Sequence, residues 1–168
     1  CPRLLKAARA FSRHGYQVRV VSATFVDRFR QMDSDLSSHE RWEWDPIEWS
    51  PGRDWYTWAR TGLRHRVAQR ATETIGARRV PYRVAVAAFQ RLHAELVECA
   101  SRKAADLYYG GAGGAIAAVA AAAVRHRVQF AVDVEDFHTG QEPEKSTQQT
   151  IIERVETSVL GNAALVTA

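Results

Sequence analysis

The stretch Ala105-Asp106-Leu107-Tyr108-Tyr109-Gly110-Gly111-Ala112-Gly113-Gly114, continued by Ala115 to His126 and Gln129 to Val134, decides the fold. Ala105 to Tyr109 has the short, apolar and aromatic composition of a strand, and Gly110 to Gly114 reads as a turn. Ala115 to His126 is an alanine-rich helix, and Gln129 to Val134 is a second strand. Strand, helix and strand within about 30 residues make a βαβ unit, in which the two strands run parallel.

Working outward, Ser146 to Leu160 reads as a helix and Ala163 to Ala168 as a buried strand, so the alternation continues to the end. Upstream, Pro2 to Arg13 is helical, with apolar Leu4, Leu5, Ala8 and Phe11 on one face and Gly15 as a C-terminal cap. Tyr16 to Ser22 follows as a strand. Phe25 to Ser38 is polar and carries no clear pattern. Glu40 to Trp58 holds all five tryptophans with Pro46, Pro51 and Gly52, and reads as loop with a short strand near Pro46 to Trp49. Trp55 to Gly76 and Tyr82 to Ala104 are helical, with Pro81 as the break. The expected architecture is α/β: a Rossmann-like three-layer α/β/α arrangement around a mainly parallel sheet. A helix that begins at residue 2 and feeds a strand implies an earlier strand, and the last strand stops without its following loop. The chain is therefore expected to be truncated at both ends.

The 168 residues are 46% hydrophobic and 25% charged, the composition of one globular domain and not of a disordered tail. Cys1 and Cys99 cannot build a disulfide framework and show no CxxC spacing, which suits a cytoplasmic location. No apolar run reaches the roughly 20 residues of a spanning helix. Residues 1 to 100 carry 17 Lys and Arg against 11 Asp and Glu, whereas residues 101 to 168 carry 6 against 8, so the basic surplus is local to the first half. Such a surplus attracts phosphorylated ligands, an anionic membrane surface or nucleic acid. No nucleic-acid-binding pattern accompanies the charge, and nucleic acid is not an expected partner.

In open parallel sheets, ligands bind beyond the carboxyl ends of the strands. Two segments fall there. Gly110, Gly111, Gly113 and Gly114 either form a tight turn under close packing or bring backbone N–H groups to a sugar or phosphate at a helix start. Asp133, Glu135, Asp136 and His138 cluster directly after the apolar strand. Carboxylates and an imidazole this close hold sugar hydroxyls or accept a proton, or else serve as loop caps. Without a second clustered ligand set a metal is not expected. Trp42, Trp44, Trp49, Trp55 and Trp58, with Arg53, Arg60, Arg64 and Arg66, fit three roles: packing a loop, stacking on a sugar, or lying at a membrane interface.

Several of these residues together resemble a family. Pro2-Arg3 before a helix, then Gly15-Tyr16 and Val18-x-Val20, resembles the opening of bacterial GT-B glycosyltransferases, specifically the N-terminal domain of the family-four, group-one type. Ala105-Asp106-Leu107-Tyr108 resembles that family's ADLYIAH strand, and Asp133 to Gly140 its DAEDFHSGE loop. Ile152 to Thr167, with Glu156 and Leu160, resembles its closing segment. The resemblance implies that residues 1–168 are an incomplete acceptor-side lobe, with Asp136 and His138 as catalytic residues that orient or deprotonate an acceptor hydroxyl. It implies that Asp133 and Glu135 line the cleft beside them, where Gly110, Gly111, Gly113 and Gly114 are expected, from their own turn, to let the backbone approach the reacting sugars. Relatives carry His-Asn where this chain has Gly110-Gly111, so that histidine's role has no counterpart here.

The family also has a second Rossmann-like domain, which holds the nucleotide-sugar donor and a pair of glutamates in E-x7-E spacing. About 160 residues cannot hold two such domains, so the donor is expected to bind outside this chain and no cofactor is expected within it. The implied activity is retaining hexosyl transfer to a glycan or lipid-linked acceptor in polysaccharide biosynthesis, at the inner face of the membrane, with the present chain inactive alone. Two other readings compete. One is a non-catalytic Rossmann-like module for a glycan, a phosphate or a protein partner; the other is a small metal-dependent hydrolase built on the EDFH residues.

Overall fold

A computed structural model describes residues 2–111, 114–134, 143 and 146–167, with the side chains at positions 2, 27–29 and 33 outside that description. The chain divides into two compact units, Cys1–Ala59 and Arg60–Ala168.

In the first unit, α1 (Pro2–Arg13) leads to β1 (Arg19–Thr24), α2 (Asp27–Ser38) and β2 (Glu43–Glu48). Gly15 adopts φ +86°, the left-handed conformation that ends a helix without a Cβ penalty. β1 and β2 pair in parallel, from Arg19 opposite Glu43 to Thr24 opposite Glu48. Arg19 on β1 forms an ion pair with Asp45 on β2, and Trp44 Nε1 donates to Ser22 Oγ at 2.9 Å. Pro46 lies inside β2, opposite Ser22, which is tolerated because β2 pairs on one side only. The strand expected near Pro46 to Trp49 thus starts three residues earlier. The polar stretch Phe25 to Ser38, to which the sequence assigned no element, is the helix α2.

In the second unit lies most of α3 (Trp55–Ile75), which starts where Asp54 Oδ1 accepts from the Thr57 N–H at 2.9 Å. The region Tyr82 to Ala104 is two helices, α4 (Tyr82–Phe89) and α5 (His93–Ala100). Gln90 breaks it, with an extended backbone at φ −113° and ψ 97°. Then come β3 (Leu107–Gly111), α6 (Ile116–His126), β4 (Gln129–Asp133), α7 (Thr147–Leu160) and β5 (Leu165–Thr167). Gly110 and Gly111 belong to β3 and not to the turn expected there. α6 ends at Arg127, which is left-handed at φ 59°. α7 begins at Ser146, whose Oγ accepts from the Gln149 N–H at 2.9 Å.

β3, β4 and β5 form a three-stranded sheet in that order, and every pairing is parallel. The fold is therefore mixed α/β with short parallel strands, as expected, but the described strands lie in two small sheets instead of one. The core forms where β4 turns Phe130 and Val132 toward α6, α7 and α4. There they meet Ile116, Ala117, Ala123, Val155, Val159 and Val86. Alanines on α6, with Ala122 and Ala123 fully buried, let this helix sit close to the strands. β5, expected to be buried, has Leu165 and Val166 exposed.

Candidate functional site

Strand parity builds the site. In β4, Phe130 and Val132 face the helical core, so Ala131 and Asp133 face the other way. The register sets Gly111 and Thr167 on either side of Asp133, at the carboxyl ends of all three parallel strands. Thr167 Oγ1 donates to Asp133 Oδ1 at 2.9 Å, and the Val134 N–H donates to the Thr167 carbonyl at 2.7 Å. On the other flank, a Cβ at Gly111 would stand 3.3 Å from Asp133 Cβ and 3.2 Å from its carbonyl oxygen. A side chain at Gly111 would crowd this flank of Asp133.

Asp133 itself is only 4% exposed. Its carboxylate is held at the strand end and is not presented at the surface. Its hydrogen bond to Thr167 ties β4 to β5. Gly110, one residue earlier and on the opposite face, is buried, and a Cβ there would meet Val119 Cγ2 of α6 at 2.3 Å. The space beside Gly110 on that face is taken by α6. Gly114 is exposed, with open space around its Cα. Glu135, Asp136, His138 and Gly113 lie outside the described residues.

Thr167 was not among the sequence candidates. The alternation of the last strand was the signal that could have found it, because every second residue of β5 shares the Asp133 face.

A second polar cluster also escaped the sequence reading. Glu95 on α5 is buried and accepts from Arg60 Nη2 at 2.8 Å and from Arg64 Nη1 and Nη2 at 3.1 and 2.6 Å. Arg64 Nη2 also donates to the Arg91 carbonyl at 2.9 Å, and Arg91 Nε to Thr61 Oγ1 at 3.1 Å. His93, beside this network, is held below the usual histidine range by burial and then by the Arg64 charge, against a smaller opposite pull from Glu95. The signal was the helix composition: α3 carries four arginines and one acid, Glu73, so a carboxylate had to come from elsewhere.

The tryptophans separate by role. Trp42 is buried, Trp44 is tied to Ser22, and Trp49 packs on Phe25 with ring centroids 4.8 Å apart. Trp55 is exposed and meets Tyr56 edge-on at 6.3 Å. One pair of glutamates has the E-x7-E spacing, Glu40 and Glu48. Both are engaged within the first unit, Glu40 by Arg9 and Glu48 by Arg30.

Among the described residues, no group of three or more histidine, cysteine or acidic side chains is placed to hold a metal ion. Nor is any described helix long and apolar enough to cross a membrane. Comparisons of the chain with protein-family models, with curated proteins and with solved structures find no match.

Proposed function

We propose that this chain is the acceptor-side, Rossmann-like lobe of a GT-B, nucleotide-sugar-dependent glycosyltransferase, acting on a glycan or lipid-linked acceptor. One observation carries the reading. Gly111, Asp133 and Thr167 stand in register at the carboxyl edge of three parallel strands, and the Glu135-Asp136-Phe137-His138 segment follows that edge within two residues. This edge is where parallel α/β sheets bind ligands.

In this reading Asp133 and Thr167 are positioning residues. Their hydrogen bond fixes the point from which the acidic segment departs. His138 and Asp136 orient the acceptor hydroxyl and take its proton as the sugar is transferred, a role for which an imidazole near neutral pKa suits. The donor binds a partner lobe, and closure of the two lobes excludes the water that would otherwise intercept the sugar. The lobe works in the cytoplasm, against the inner face of the membrane where a lipid-linked acceptor is held.

The burial of Asp133 favours a second reading, a non-catalytic module of the same fold that binds a glycan, a phosphate or a protein. Activity separates the two. The intact polypeptide that carries this chain is assayed with a panel of radiolabelled nucleotide sugars and glycan or lipid acceptors. The transferase reading expects incorporation that drops at least tenfold in both His138→Ala and Asp136→Ala, with unchanged circular dichroism. Incorporation indifferent to both substitutions contradicts it, and its absence across the panel leaves the module reading in place.

A further inference from the structure

The arginines of α3 and the α4–α5 connection hold a feature that the transferase reading does not use. Gly62 lies in the middle of α3, where glycine is less favourable than alanine. It is buried, and its neighbours explain its size. A Cβ at Gly62 would stand 3.0 Å from Arg91 Nη2 and 3.4 Å from Arg66 Nη2. The two guanidinium nitrogens therefore lie within about 6.4 Å of each other, the sum of those distances. Each group is oriented through its other end, Arg66 Nε donating to the Gly62 carbonyl and Arg91 Nε to Thr61 Oγ1, both at 3.1 Å.

Two like charges brought this close repel each other: burial first and the Arg66 charge second hold the Arg91 guanidinium below its usual value. Arg60 and Arg64 lie nearby and share the carboxylate of Glu95, so four guanidiniums gather in one neighbourhood. An arrangement that gathers positive charge and fixes its direction is suited to an anion. The spacing selects which one. A carboxylate brings a single negative charge, as Glu95 does between Arg60 and Arg64. A phosphate group offers three oxygens and up to two negative charges, and it reaches two separate donors through charge-assisted bonds of about 2.8 Å each.

We propose that the Nη2 ends of Arg66 and Arg91, brought together over the missing side chain of Gly62, form a binding site for a phosphate group. The site is independent of the carboxyl edge of β3, β4 and β5. The phosphate belongs either to a soluble phosphate ester or to a lipid headgroup.

The test is an NMR titration of the chain at constant ionic strength, read on the arginine Nε–Hε resonances. Inorganic phosphate is expected to shift Arg66 and Arg91 together, and acetate to do so at least tenfold more weakly. Arg66 is exposed, so Arg66→Gln leaves the fold intact; it is expected to weaken phosphate binding about tenfold, the loss of one charge-assisted interaction. Gly62→Ala favours the helix but sets a methyl group against both Nη2 ends, 3.0 Å from that of Arg91 and 3.4 Å from that of Arg66, and is expected to weaken binding as well. Arg70→Gln, on an exposed arginine paired with Glu73, is the control expected to change nothing.

Phosphatidylcholine vesicles with and without phosphatidic acid then separate the sources. Arg66-dependent capture that requires phosphatidic acid assigns a lipid headgroup; phosphate binding without capture assigns a soluble ester. No shift with phosphate, equal binding in Arg66→Gln, or an equal loss in Arg70→Gln overturns the proposal.

Discussion

Gly110→Ala isolates what the glycines of β3 do. The added methyl would meet Val119 Cγ2 at 2.3 Å, whereas carbon atoms in contact normally stand about 3.5–4.0 Å apart. The deficit is about 1.2–1.7 Å, too much for a buried strand to absorb without moving Val119 or the whole of α6. Overpacking of this kind costs about 1–3 kcal/mol, set against about 0.4–1 kcal/mol gained by restricting glycine in the unfolded chain. The expected net loss is about 1–2 kcal/mol. Val119→Ala removes the obstructing methyls, and because Val119 is only half-buried it is expected to cost about 1 kcal/mol alone. The double variant should then be no less stable than Gly110→Ala, a favourable coupling of about 1–2 kcal/mol in the cycle. Chemical denaturation followed by far-ultraviolet circular dichroism measures all four proteins. Additive losses refute the contact with α6 and return Gly110 to the backbone-contact role that the glycine-rich stretch also suggested.

Three further outcomes follow from the polar clusters. Glu95→Gln removes the carboxylate that holds Arg60 and Arg64; with those arginines 47% and 32% exposed and so partly solvated, the expected loss is about 1–3 kcal/mol by the same denaturation assay. His93 takes up a proton less readily folded than unfolded, so stability should fall as pH drops through about 6.5 and stop falling below its lowered folded value; His93→Gln should flatten that limb of a Tm-against-pH profile. Arg154 on α7 donates to the carbonyls of Ala77 and Val80 at 3.0 and 2.7 Å, pinning the chain before α4. Arg154→Met should cost about 1–3 kcal/mol and speed amide exchange at residues 77–80.

What the sequence disclosed, and what it hid, follows from how each signal is encoded. α6, β4 and α7 were readable because periodicity, an N-terminal serine cap and short apolar runs all agreed. α2 was not, because Asp27-Arg28-Phe29-Arg30-Gln31-Met32 carries no apolar stripe wide enough to register as a helix. Nothing in Gln90-Arg91-Leu92 marks a break either; the helix stops there without glycine or proline. The burial of Asp133 was not legible, because the alternation from Phe130 onward puts it on the face opposite the helical core and the density of charge after it drew the reading outward. The Arg60, Arg64 and Glu95 cluster was hidden for a different reason: its members are 31 and 35 residues apart, and only the tertiary fold brings them together.

The measurement that bears most directly on the proposed function is an amide chemical-shift titration of this chain with a panel of soluble oligosaccharides. The account predicts shifts concentrated at Gly111, Val134 and Thr167, and weakened by Thr167→Val, which removes the hydroxyl holding Asp133. Shifts spread over the exposed surface, or gathered elsewhere and indifferent to Thr167→Val, would contradict it.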